Sequence, residues 1–461
     1  MTPDHSVVAA GGDSPQPDNV LAYPDQALFL GMRTAGQEAV MQAIWVYEHP
    51  IDLEGLRRFQ RNFGRGFMAR AIEPSPLPFG RHRWVAAPTA PAEVHVAESG
   101  RDRTELYDWA DEQVALPLDP QWGPGWRISA QRFIDGSTAI SLVVSHCISD
   151  GVGAFMAAVE AINGTTRDVD YPPAGARSRR TAVREDLRQI ARDLPELGQT
   201  LRKAVRVAAK RRSELARPAA SRPALSATGG TALLPSTSIF IDARDWDTLA
   251  ESLGGNSFSL VAAFAGRIAE HLGRTRDSDG AVTLMIPVSE REGLHDTGGN
   301  VVSIASVSFD PDGVTTDLTE VRTAIRNGLK TAREVPDEMV ELLPLLPFVP
   351  KRAFGRIVDV AFGFSADLPV SVSNFGDLPA ELNRVDGTAA EYFSFRGVDR
   401  NVTSESLDRR GGILTVTSGR IDGLISLTVI SHQPRAHNSQ RGLRELVAQT
   451  LTEFGLTGEI A

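Results

Sequence analysis

Residues 177–217 divide the chain and limit what it can fold into. They hold thirteen Arg/Lys against five Asp/Glu, a formal charge of +8, inside a 461-residue chain whose total is −10. The remainder therefore carries −18. Leu187, Ile190, Ala191, Leu194, Leu197, Leu201, Ala204, Val205 and Ala208 recur at helical spacing within this stretch. That pattern predicts one or two basic amphipathic helices, interrupted near Pro195, whose ring removes a backbone donor. A Pro/Ala/Ser/Gly-rich run follows, suited to a linker. A chain of this length holds roughly two or three domains' worth of residues. Two cores are expected, with a tail over 1–20, a first lobe over 21–175, a basic helical linker over 176–230 and a second lobe over 231–461.

Both halves alternate strand and helix patterns, which predicts an α/β (α+β) fold. In the first half the segment from Gln37 to Pro50 reads as a strand, and Leu53, Leu56, Phe59 and Phe63 mark a helix capped by Asp52. Asp135-Gly136 marks the turn of a hairpin that ends in the apolar run AISLVV. In the second half, strands are read at 280–291, 300–309 and 369–379, and a hairpin turns at Asp422-Gly423.

Several function classes drop out. An acidic chain is a poor general nucleic-acid binder. Its single cysteine, Cys147, allows no disulfide within the chain and no CxxC metal site, so a reducing cytoplasm is expected. The first nineteen residues lack a basic start and an apolar core, so no secretory signal is expected. No apolar run reaches the ~18 residues a spanning helix needs, so any membrane contact should be peripheral, at the inner face. HExxH, P-loop and dinucleotide-binding patterns are missing, and neither a metal nor a bound cofactor is expected.

The sharpest signal is Ser145-His146-Cys147-Ile148-Ser149-Asp150-Gly151. It follows a buried strand and precedes the helix pattern VGAFMAAVEAIN, so its polar side chains stand at a strand end facing a cleft. Imidazole is the side chain best suited near neutrality to take a proton from a hydroxyl or amine. Asp150 is placed to fix the turn through a salt bridge, and Gly151 to allow a backbone shape that a Cβ would forbid. Cys147 alternates away from His146 and reads as packed core, as does Trp126.

At these residues the sequence resembles the condensation-domain superfamily with the HHxxxDG motif, and within it the wax ester synthase/diacylglycerol acyltransferase branch. Further segments resemble that branch in order: Asp25-Gln26-Ala27-Leu28-Phe29, Pro117-Leu118-Asp119 with Gly125-Trp126-Arg127, Ile286-Pro287-Val288-Ser289-Glu290-Arg291, Gly299-Asn300 and Ser373-Asn374-Phe375-Gly376. Ser145 stands where the family's first motif His would be, and Asn256-Ser257 where it has an Asn-Asp pair.

The resemblance implies two chloramphenicol acetyltransferase-like lobes, each a mixed sheet with helices, pseudo-dimeric with a tunnel between them. It implies His146 as general base, with Asp150 and Arg291 as a structural pair beside Gly151. Ser145, Asn256, Asn300, Ser373 and Asn374 become candidates for holding substrate or the oxyanion. The reaction implied is direct acyl transfer from acyl-CoA, as co-substrate, to the hydroxyl of a diacylglycerol, a long-chain alcohol or another lipid-like acceptor. Two alternatives stay open: natural-product or complex-lipid assembly from a carrier-protein thioester, and a non-catalytic lipid- or carrier-binding relative. The basic stretch 177–217 could meet an anionic membrane or an acidic carrier protein. Oligomeric state is not legible, with a monomer favoured.

Overall fold

The structure is a computed structural model describing residues 19–36, 38–88, 93–167, 169–210, 234–293, 296–335, 340–349 and 368–461. The expected tail up to residue 18, and the part of the expected 176–230 linker over 211–230, lie outside the described residues.

The first sheet is built from β1 (Glu38–Tyr47), β4 (His95–Val96), β5 (Trp126–Arg132) and β6 (Thr138–Ser145), with β2 (Arg70–Glu73) and β3 (Arg83–Ala86) forming a separate ribbon. Helices α1 (Tyr23–Ala35), α2 (Leu53–Phe63), α3 (Leu106–Ala115) and α4 (Gly151–Asn163) accompany these strands. The second sheet contains β7 (Ser236–Asp242), β8 (Val282–Ser289), β9 (Val302–Phe309), β10 (Val370–Asp377), β12 (Ile413–Ile421), β13 (Leu424–His432) and β14 (Glu459–Ile460). Strand order in the first sheet, which also takes in β11 (Tyr392–Arg400), is β11-β1-β6-β5-β4, and in the second β14-β7-β13-β12-β10-β8-β9. Each sheet mixes parallel and antiparallel pairs: β4–β5 is parallel in the first, as are β10–β12 and β10–β8 in the second.

The β11 strand of the first sheet is Tyr392–Arg400, far along the chain in the 231–461 segment, and it pairs antiparallel with β1. The second lobe thus completes the first lobe's sheet. This strand was not foreseen. Its charged residues broke the apolar pattern, yet Arg396 is only 1% exposed and bonds Gln42 and Asp111, while Arg400 pairs with Glu38. Buried charges persist in a strand only where such partners compensate desolvation.

The basic stretch gives a single helix, α5 (Arg179–Lys210), that runs straight through Pro195. No interruption occurs there. Pro195 and Ala191 are both exposed, so the Ala191 carbonyl that loses its helical donor is available to water.

The second core is centred on α7 (Ser257–His271), whose residues from Leu260 to Ala265 are all fully buried, with α6 (Ala243–Ser252), α8 (Thr319–Glu334) and α10 (Gln440–Glu453) around it; α9 (Ser404–Arg409) is a short helix beyond β11. The first core lies between the β1/β6 face and α4. Phe375, from β10 of the other sheet, packs into it, edge-on against Phe155 and Phe395 with centroids 5.1 and 4.5 Å apart.

Candidate active site

His146 stands one residue beyond β6, where its N–H donates to the Ala39 carbonyl at 3.0 Å and so extends the sheet by one register. The residue is partly exposed, not sealed in packing, while its Nδ1 is enclosed with no hydrogen-bond partner. Three layers hold it.

The first is the motif's own carboxylate. Asp150 Oδ2 accepts from Arg291 Nη2 at 2.8 Å and from the Val301 N–H at 2.9 Å. Its Oδ1 accepts from Arg291 Nε at 3.2 Å and caps α4 through the Gly153 N–H at 2.8 Å. Both side chains are 3% exposed. Arg291 also donates to the carbonyls of Asp296, Gly298 and Gly299. One ion pair therefore joins the first lobe's motif to the loop between β8 and β9. The scaffold pairing of Asp150 with Arg291 is the geometry found.

The second layer is Asn300. Its Nδ2 donates to the His146 carbonyl at 3.0 Å and to Asp25 Oδ1 at 2.9 Å, and Asp25 also accepts from the Gly299 and Asn300 N–H groups. Asp25 is fully buried. Burial pushes its carboxyl above the usual range, against the opposing pull of Asn300 and Arg70. Asn300 thus fixes the His146 backbone from behind. The third layer is Arg70, sandwiched between the Phe67 and Trp84 rings at 3.9 and 4.0 Å, which donates to the Ile148 carbonyl at 2.5 Å.

Gly151 is needed for space, not for an unusual backbone, since it is not among the positive-φ glycines. A Cβ there would lie 2.8 Å from the Phe375 ring, and one at Gly153 would lie 2.8 Å from the Arg291 guanidinium. Ser145 is fully buried and points to the opposite face from His146, against the Cys147 thiol, so it does not line the cleft. Burial pushes that thiol up, and Cys147 packs in the first core as expected.

The remaining candidates separate. Asn256 caps α7: its Oδ1 accepts from the Ser259 N–H and Ser259 Oγ answers its own N–H, a capping box. That engagement, not substrate, accounts for Asn256. Asn374 Oδ1 is turned to the Gly376 N–H and Ser418 Oγ, within its own sheet. Ser373 shares a strand face with Phe375, so it looks toward the first lobe and the motif.

One residue was missed from the sequence. Ala39 is paired with Asp399 on β11, so His146, Ala39 and Asp399 form one row across three strands on one face. Burial raises the Asp399 carboxyl, while Arg410 and His146 pull it down. Its only signal in sequence was the Phe393/Phe395 alternation that carries it. On the same face, the next row is Val144, Met41 and Gly397, and the one after is Leu142, Ala43 and Phe395. A small apolar cavity opens there, lined by Met41, Ala43, Leu142, Val144, Phe155 and Phe395 among others. A Cβ at Gly397 would meet open space.

No known family profile matches the sequence, and no curated protein matches it. Solved structures do. The first condensation domain of the CDA synthetase aligns with a TM-score of 0.56 at 15% identity, covering 96% of this chain and 97% of that one. TRI3, the trichothecene 15-O-acetyltransferase of Fusarium sporotrichioides, aligns at 0.54 and 13%, covering 95% and 94%. Polyketide synthase associated protein 5 from Mycobacterium tuberculosis aligns at 0.51 and 14%, covering 95% and 98%. The chain therefore has the two-lobed, chloramphenicol acetyltransferase-like fold of condensation domains over nearly its whole length.

Proposed function

We propose that this chain is an O-acyltransferase that moves an acyl group from a thioester, acyl-CoA in the first instance, to the hydroxyl of a lipid-like alcohol. The observation that carries the reading is a partly exposed imidazole at a strand end, clamped from both lobes, with a small apolar cavity two registers behind it on the same sheet face. An acetyltransferase and a condensation domain share the fold.

In this reading His146 takes the proton of the acceptor hydroxyl as its oxygen attacks the thioester carbonyl. The tetrahedral oxyanion is met by Ser373 or by backbone N–H groups. It collapses with cleavage of the C–S bond, and the imidazolium returns the proton to the departing thiolate. Asp399 is a positioning residue, placed in the same row of the sheet as His146 across Ala39. Replacing Asp399 with asparagine should lower kcat about tenfold with little change in KM. A kcat unchanged by this substitution would remove Asp399 from the mechanism.

The acyl chain is expected to run along this sheet face toward Met41, Ala43 and Phe395. Gly397→Leu puts a bulky side chain into the open space above that face and should cut the rate with long chains about tenfold relative to short ones. Equal loss across chain lengths would place the chain elsewhere.

The reading is tested by thiol release from acyl-CoA thioesters of several lengths with a panel of alcohols, alongside the same acyl groups on a carrier protein. Release that depends on a lipid-like alcohol supports it. Release only from the carrier moves the donor to the second reading, and no release with any donor favours a binding protein.

A further inference from the structure

Helix α5 presents an outer face that nothing in the described structure covers. Leu187, Leu194, Leu201 and Val205 are 51–63% exposed. Leu187, Leu194 and Leu201 recur every seven residues and Val205 falls four later, so they stand in one line with Ala191 and Gly198 between them. Arg184, Arg188, Arg192, Arg202 and Arg206 run along one flank of that line. The acids of the helix face the other way: Asp186 bonds Arg83, Arg177 and Ser75, Asp193 lies against Arg81, and Glu196 accepts from Tyr23. Beside α5 packs the segment Val340–Phe348, tied to it by Lys203 and Glu341, with Val340 exposed and Phe348 stacked on an exposed Phe79. Single exposed leucines need no explanation, but a contiguous line of them does.

We propose that α5 is an interfacial helix that docks this protein on an anionic lipid bilayer. The line of leucines enters the boundary of headgroups and acyl chains, and the arginine flank meets the negative headgroups. Charge complementarity favours this occupant. Asp186 and Asp193 are withdrawn into ion pairs with Arg83, Arg177 and Arg81, so the exposed face sets arginines beside leucines. The inference does not depend on His146. If both hold, the acceptor is a lipid that reaches the site from the bilayer on which the helix lies.

The test is sedimentation of the full chain with phosphatidylcholine vesicles, with and without about 30 mol % phosphatidylserine. Expected is binding to the anionic vesicles only, and release at about 0.5 M salt. The triple variant Leu187→Gln/Leu194→Gln/Leu201→Gln keeps the charge and should lose at least tenfold in vesicle affinity. Arg184→Gln/Arg188→Gln/Arg202→Gln should lose the dependence on phosphatidylserine. All six side chains are exposed, so the melting temperature and acyl transfer to a water-soluble acceptor should stay as in the wild type. Wild-type protein that ignores both vesicles overturns the proposal, as does a leucine variant that binds as well. A dimer in light scattering that the leucine variant dissociates, or capture of an acidic carrier protein in place of vesicles, overturns it too.

Discussion

Replacing Asp150 with alanine is expected to cost about 3–5 kcal/mol of folding stability, the usual penalty for breaking a buried ion pair by removing one partner. The loss has three parts. Arg291, 3% exposed, keeps the carbonyls of Asp296, Gly298 and Gly299 and only a long 4.0 Å pairing with the Asp296 carboxylate around a charge it cannot shed. The Val301 N–H loses its acceptor, and α4 loses its cap. Asp150→Asn keeps the cap and one acceptor and should fall between the two. Denaturant unfolding measures the difference, and a double-mutant cycle with Arg291→Met isolates the pair. A loss under 1 kcal/mol for Asp150→Ala would mean that this ion pair does not clamp the lobes.

Much of the fold was legible because apolar periodicity marks elements with one buried face. The β1 strand, α2 with its Asp52 cap, and the β5–β6 hairpin at Asp135-Gly136 lie where the pattern placed them. Tyr392–Arg400 escaped because its buried charges are neutralised by partners hundreds of residues away, such as Glu38 and Asp111. No local window contains them. The site divides in the same way. The motif residues His146, Asp150 and Gly151 are contiguous and visible. Asp399 reaches His146 only through the register of three strands, which the linear sequence does not record. Asn256 caps a helix, and a capping Asn and a substrate-binding Asn look alike until the helix behind the residue is seen.

Removing the His146 imidazole should have the largest effect on activity. A positioned general base contributes about 10²–10⁴-fold, and no other side chain of the motif can replace it. Cys147 is buried with its thiol pushed up, Ser145 faces away, and Asp150 is saturated by Arg291, Val301 and Gly153. The loss should appear in kcat, because the alanine variant keeps the cavity. Folding should survive, because the contacts that hold this segment are made by the His146 backbone N–H and C=O, which alanine retains.

The most direct measurement is therefore thiol release and ester formation from one acyl thioester and one alcohol, followed in parallel for wild type and His146→Ala. Thiol and ester should rise together in the wild type, only when the alcohol is present, and the variant should run about 10²–10⁴ times slower at an unchanged melting temperature. A folded variant that releases thiol at the wild-type rate would contradict the assignment of His146 as the base.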